Sequence, residues 1–91
     1  MEKVTVYSKE DCSQCDMTKK VMDSKEIPYE ERRIDIDEEA LAYVKELGYL
    51  AAPVVTIEYD DKPMEHFYGF RPDMIGKIAL KGIVEIKDGT S

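Results

Sequence analysis

The chain has 91 residues, of which 43% are hydrophobic and 36% charged, and its formal net charge is -7 at pH 7. That length fits one domain with a modest core, and the composition is that of a folded chain rather than a disordered one. The negative field repels phosphate backbones and anionic lipid, which argues against nucleic-acid or membrane-surface binding, and no apolar run approaches the roughly 20 residues of a membrane-spanning helix.

In chain order, Lys3-Val4-Thr5-Val6-Tyr7 is β-branched and followed by polar residues, which predicts a buried strand feeding a loop. That loop carries both cysteines of the chain, in Cys12-Ser13-Gln14-Cys15. From Ser13 to about Lys25, Met17, Val21 and Met22 recur at helical spacing until Pro28 forbids continuation. Tyr29 to Ile36 reads as a second strand, and its charged middle, Glu30-Glu31-Arg32-Arg33, suits a sheet edge or one solvated face. Asp37 is a good N-cap, and Glu38 and Glu39 favour a helix N-terminus. Ala40, Leu41, Val44 and Leu47 then form one apolar stripe, with Gly48 as a natural stop.

After Pro53, the continuous apolar start of Val54 to Tyr59 predicts a strand buried on both faces. Asp60-Asp61-Lys62-Pro63 is a turn, from which Met64 to Tyr68 returns antiparallel. Gly69 breaks the chain. Pro72 opens a last helix whose buried side is Ile75, Ile78 and Ala79, with Lys77 and Lys81 near its negative end, until Gly82. Gly76 weakens that helix. The order is βαβ, then α, then ββα, with a right-handed first crossover expected. This α/β plan, a four-stranded mixed sheet with helices on both faces, resembles the thioredoxin fold. Residues 1–82 form the domain. The tail 83–91 alternates through Ile83-Val84-Glu85-Ile86 before turning polar, compatible with a docked extended segment or a frayed end.

Two cysteines in one cluster cannot build the long-range staples of a small secreted scaffold, and the stretch from Met1 to Tyr7 is too short for a signal peptide. A cytoplasmic monomer with a working dithiol is the expectation. Thiol exchange needs a thiolate, a path to a partner disulfide, and a second thiol near enough to release the mixed disulfide. With Cys12 at the start of the first helix, unpaired amides and the positive end of the helix dipole stabilise its anion, and Cys15, one turn in, is expected to be more buried. A structural zinc needs two further ligands, for which the chain offers no other cysteine and only His66. No metal or bound cofactor is needed. Lys9, three residues before Cys12, is placed to lower the thiol pKa or to meet a partner, against the partly cancelling charges of Glu10 and Asp11.

Val4-Thr5-Val6-Tyr7-Ser8-Lys9, the Cys12 to Cys15 motif, Leu47-Gly48-Tyr49, Ala52-Pro53-Val54-Val55 and Gly69-Phe70-Arg71-Pro72-Asp73 together resemble the glutaredoxin-like NrdH redoxins over about residues 3 to 81. The resemblance implies a small thiol–disulfide oxidoreductase that is reduced by thioredoxin reductase and donates electrons to a class Ib ribonucleotide reductase. It implies Cys12 as nucleophile and Cys15 as resolving thiol. It also implies a cis bond before Pro53, which the residue by itself does not predict. Lys9, Ser13, Gln14, Ala52, Pro53, Phe70 and Arg71 are the expected partner-binding residues.

A glutathione-dependent glutaredoxin is the alternative. Proteins of that kind carry a glycine pair followed by acidic residues that hold the tripeptide, whereas here Phe70 fills the second glycine position and leaves Asp73 as a candidate amine partner. A non-catalytic scaffold, the third reading, has no reason to keep both thiols. Three departures from the NrdH pattern stand out: Phe67-Tyr68 replaces a Trp-Ser pair, Glu10 replaces a proline, and Ser13 replaces a more apolar residue.

Overall fold

β-branched residues at consecutive positions of two strands build the centre of the sheet. In the computed structural model, which describes residues 3–82 with side chains through Ile78, these are β1 (Lys3–Ser8) and β3 (Val54–Glu58). They run antiparallel, with Val6 opposite Val55 and Tyr7 opposite Val54. The edges are β2 (Glu30–Arg33), parallel to β1, and β4 (Glu65–Tyr68), antiparallel to β3, so the order is β2-β1-β3-β4. Three helices complete the described residues: α1 (Ser13–Ser24), α2 (Glu38–Glu46) and α3 (Pro72–Gly82). This is the expected element order and mixed sheet. The tail 83–91 and the side chain of Ala79 lie outside what is described.

Alternation along the strands sends side chains to two faces. One face gathers Val4, Val6, Val55, Ile57 and Phe67 with Met22 of α1 and Ile75 and Ile78 of α3. The other gathers Tyr7 and Val54 with Ala40 and Val44 of α2, and it also takes in Cys15 and Ala52. Val54, Val55, Thr56 and Ile57 are all buried, as their apolar run predicts for a strand covered on both sides.

The charged middle of β2 lies at the sheet edge, and each of its four residues has an ionic partner. Lys3 meets Glu30 at 3.3 Å, Lys19 meets Glu31 at 2.8 Å, Arg32 meets Asp37 at 2.7 Å and Arg33 meets Asp35 at 2.6 Å. An edge so occupied is a poor template for another strand. Arg33 also explains why β2 is shorter than the predicted span of 29–36. Its guanidinium grips Asp35 two residues on, and its carbonyl accepts the Asp37 N–H at 2.9 Å, so Ile34 to Ile36 turn and leave Ile36 75% exposed. Asp37 then caps α2, its carboxylate accepting the N–H groups of Glu39 at 3.1 Å and Ala40 at 3.2 Å.

One further position departs from the sequence reading. Met17, one of the apolar residues that recur at helical spacing in α1, is 42% exposed, and Thr18 is buried beside it. Burial of that hydroxyl is tolerated because it donates to the Gln14 carbonyl at 2.8 Å.

α1 is tied to the β2 edge through Glu31, which accepts from the buried Ser8 hydroxyl at 2.6 Å and from Lys19 at 2.8 Å. Lys19, then Ser8, hold the Glu31 carboxyl below its ordinary value of 4.5. A depressed folded-state pKa means that this stabilisation is complete above about pH 4.5 and is lost as pH falls through the lower folded value. In urea unfolding from pH 6 down to about pH 3, wild type is expected to lose on the order of 1 kcal/mol more than Glu31→Gln, the modest value reflecting a partly solvated pair. Parallel pH profiles for the two proteins would remove Glu31 from that role.

Candidate active site

The segment from Ser8 to Cys15 turns sharply out of β1 and into α1. Asp11 sits in the left-handed region at φ 57°, which a short polar side chain tolerates better than most. Beside it, the Glu10 N–H donates to Asp35 at 3.1 Å and the Glu10 carboxylate lies 3.8 Å from Arg33, so the turn is held by the same Arg33–Asp35 pair that ends β2. Glu10 thereby shares the Arg33 guanidinium with Asp35. Lys9 is exposed on this loop.

Cys12 is the N-cap of α1, in extended conformation, and its carbonyl accepts the Asp16 N–H at 3.1 Å. Its Sγ is bonded to the Sγ of Cys15 and also accepts the Cys15 N–H at 3.1 Å. The sulfur therefore stands where a serine or aspartate oxygen stands in an ordinary cap, facing amides that no helical carbonyl satisfies. Cys12 is half-buried, whereas Cys15 is 1% exposed. The asymmetry expected from one turn of helix is present.

Around the pair lie three walls. α2, the end of β1 and the start of β3 contribute the cluster of Tyr7, Ala40, Val44 and Val54, against which Cys12 and Tyr49 also pack. Burial pushes the Tyr7 phenol up from its ordinary value, with Tyr43 acting in the same direction, and the two rings are 5.6 Å apart. The second wall is Ala52-Pro53, whose connecting bond is cis, as the family resemblance implied. Both residues are buried, Ala52 at 8% exposure. The third wall is the Gly69-Phe70 corner, where Gly69 adopts φ 90° and donates its N–H to the Pro53 carbonyl at 2.8 Å. A side chain at position 69 would be strained by that φ. Phe70 is half-buried, its ring against the cluster on the α1 and α3 face.

Of the remaining expected residues, Ser13 and Gln14 are exposed in the first turn of α1, and the Gln14 Oε1 accepts the Phe70 N–H at 3.2 Å. Arg71 turns onto Asp73, with its Nη2 3.1 Å from the carboxylate. Sequence reasoning missed the surface on the α2 side. Tyr49 stacks on the 45% exposed Tyr68 at 6.3 Å and places its hydroxyl 2.8 Å from His66 Nδ1, while Leu50 is 85% exposed. The signal available was a large apolar residue, Leu50, ahead of the small Ala51-Ala52-Pro53. Phe67 and Tyr68, where the family usually has Trp-Ser, divide the work: Phe67 enters the core and Tyr68 stacks outside.

A family model for glutaredoxin matches residues 4–61. A glutaredoxin-like protein NrdH from Lactococcus lactis subsp. lactis (strain IL1403) is 45% identical over 84% of this chain and 99% of its own length. The chain belongs to the NrdH group of the glutaredoxin family. Another NrdH, from Escherichia coli (strain K12), is 34% identical over 84% of this chain and 88% of its own. The solved NrdH-redoxin of Escherichia coli, described as having a thioredoxin-like activity profile, superposes with a TM-score of 0.71 at 30% identity, covering 84% of this chain and 93% of that one. As an NrdH redoxin, the protein has the thioredoxin-like fold and is a thiol–disulfide oxidoreductase with Cys12–Cys15 as its disulfide. Among the described residues, no helix is long and apolar enough to cross a membrane, and no group of three or more His, Cys, Asp or Glu is arranged to hold a metal ion.

Proposed function

We propose that this NrdH redoxin is reduced by thioredoxin reductase and delivers its electrons to a class Ib ribonucleotide reductase. Cys12 is the attacking thiol and Cys15 the resolving one. Reduced protein lays Cys12, the backbone edge of Ala52-Pro53 and the Phe70 corner against a disulfide-bearing segment of its target, with Lys9, Ser13, Gln14 and Arg71 at the rim. Cys12 thiolate attacks one sulfur of the target, the S–S electron pair leaves on the other sulfur, and that thiolate takes a proton. Cys15 gives up its proton and attacks Cys12 Sγ, which releases the second target sulfur as a thiol. Two electrons and two protons have moved. The Cys12–Cys15 disulfide then accepts both back from the reductase.

The observation that carries the choice of reductase lies at positions 70 and 73. A ligand peptide backbone needs room where Phe70 stands, and an acid free to take its amine. Asp73 is instead engaged by Arg71, whose guanidinium holds its carboxyl below the ordinary value. The thioredoxin-like profile of the Escherichia coli relative supports the same reading.

NADPH oxidation by the oxidised protein separates the alternatives. With thioredoxin reductase the protein is expected to turn over at least about tenfold faster than with glutathione and glutathione reductase, a difference of about 1.4 kcal/mol in barrier. The opposite order would make it a glutathione-dependent glutaredoxin.

A further inference from the structure

Two successive amides join the walls of the site. The Gly69 N–H reaches the Pro53 carbonyl at 2.8 Å, and the next, from Phe70, reaches the side chain of Gln14 at 3.2 Å. Gln14 lies between the two cysteines, and its own carbonyl is taken by the Thr18 hydroxyl at 2.8 Å. Its side chain is exposed and contributes no capping bond to α1, whose N-cap acceptor is the Cys12 sulfur. The side-chain oxygen instead spans to residue 70, which is 56 positions away in sequence. A Cβ built on Gly69 would lie 3.7 Å from the same oxygen, so the Gln14 side chain reaches beside Gly69 as well.

We infer that Gln14 is a positioning residue for thiol exchange: it clamps the Gly69-Phe70 corner to the cysteine turn and so fixes the approach of a protein disulfide to Cys12 Sγ. Displacement at sulfur requires the attacking and leaving sulfurs to be nearly in line, so the target's orientation governs productive encounter. The Pro53 bond and the packing of the Phe70 ring anchor the corner to the sheet and core, and the bond from the Phe70 N–H to Gln14 is what ties it to the turn that carries the nucleophile. The role rests on the proposed docking of targets at the Phe70 corner.

Gln14→Ala and Gln14→Met remove the acceptor, while Gln14→Glu keeps an oxygen at the same reach. Steady-state reduction of insulin disulfides, with dithiothreitol as the electron source, needs no thioredoxin reductase, so a wild-type protein that works on insulin but not with that reductase defeats the choice of reductase and leaves this test intact. For Ala and Met at position 14, KM for insulin is expected to rise about fivefold, the equivalent of one neutral hydrogen bond, with a smaller change in kcat. Hydrogen exchange at the Phe70 amide, followed by NMR, should accelerate by a similar factor. Gln14→Glu should restore both quantities toward wild type. The inference is overturned by a KM within twofold of wild type in Gln14→Ala, by an unchanged Phe70 exchange rate, or by a Gln14→Glu protein as impaired as Gln14→Ala.

Discussion

Cys12→Ser is expected to lower turnover of a protein disulfide by at least about a thousandfold, since a hydroxyl held at the helix start is not ionised near neutral pH and cannot form the mixed disulfide that Cys15 resolves. Cys15→Ser should behave differently. Its Cys12 still attacks, but nothing nearby releases the product, so a covalent adduct of redoxin and target accumulates and is visible by mass spectrometry. The asymmetry follows from position: Cys12 is the half-buried cap, and Cys15 is sealed one turn along at 1% exposure. In the reduced protein the thiol at position 12 is expected to titrate below the roughly 8.5 of a free cysteine, because first-turn amides, the Cys15 N–H foremost, face its sulfur. Equal loss of adduct formation in both variants, or a raised pKa at position 12, would overturn the assignment.

Met22→Ala is expected to cost about 2–5 kcal/mol, a large part of the total stability of a domain this size. Met22 is fully buried between the sheet and α3, in one cluster with Val6, Val55 and Ile75. Truncation removes its contacts and leaves a space that two helices and a sheet cannot close by small shifts. Thermal unfolding should fall by about 10 °C or more. Met17→Ala, five residues earlier on the same helix, should stay within about 0.5 kcal/mol because Met17 is 42% exposed. Equal midpoints for these two variants would mean that α1 packs through a different face.

That pair of methionines shows where sequence reading stops. Helical spacing places Met17 near the buried stripe, and only the packed structure reveals that Thr18 displaces it by satisfying its own hydroxyl on the Gln14 carbonyl. The β2 edge is similar. Its run of charge was legible as an edge because such residues cannot be desolvated at a sheet centre, yet its length depended on Arg33 closing on Asp35. Lys9, Ser13 and Arg71 stand out in the sequence by their nearness to a motif, and the structure leaves them exposed. Leu50 and Tyr68 carry no motif and emerge only as surface.

By itself the sequence determined the order of strands and helices, the placement of the dithiol at a helix start, and the family, because each depends on residues close together in the chain: apolar periodicity, caps, and a two-residue spacer. Tertiary structure decided the walls of the site. Pro53, Gly69, Phe70 and Gln14 come from three separate segments, and they meet through backbone amides whose partners no local pattern encodes. Which carbonyl or side-chain oxygen an N–H finds is set by the packing of whole elements, and it is there that the shape presented to a partner disulfide is made.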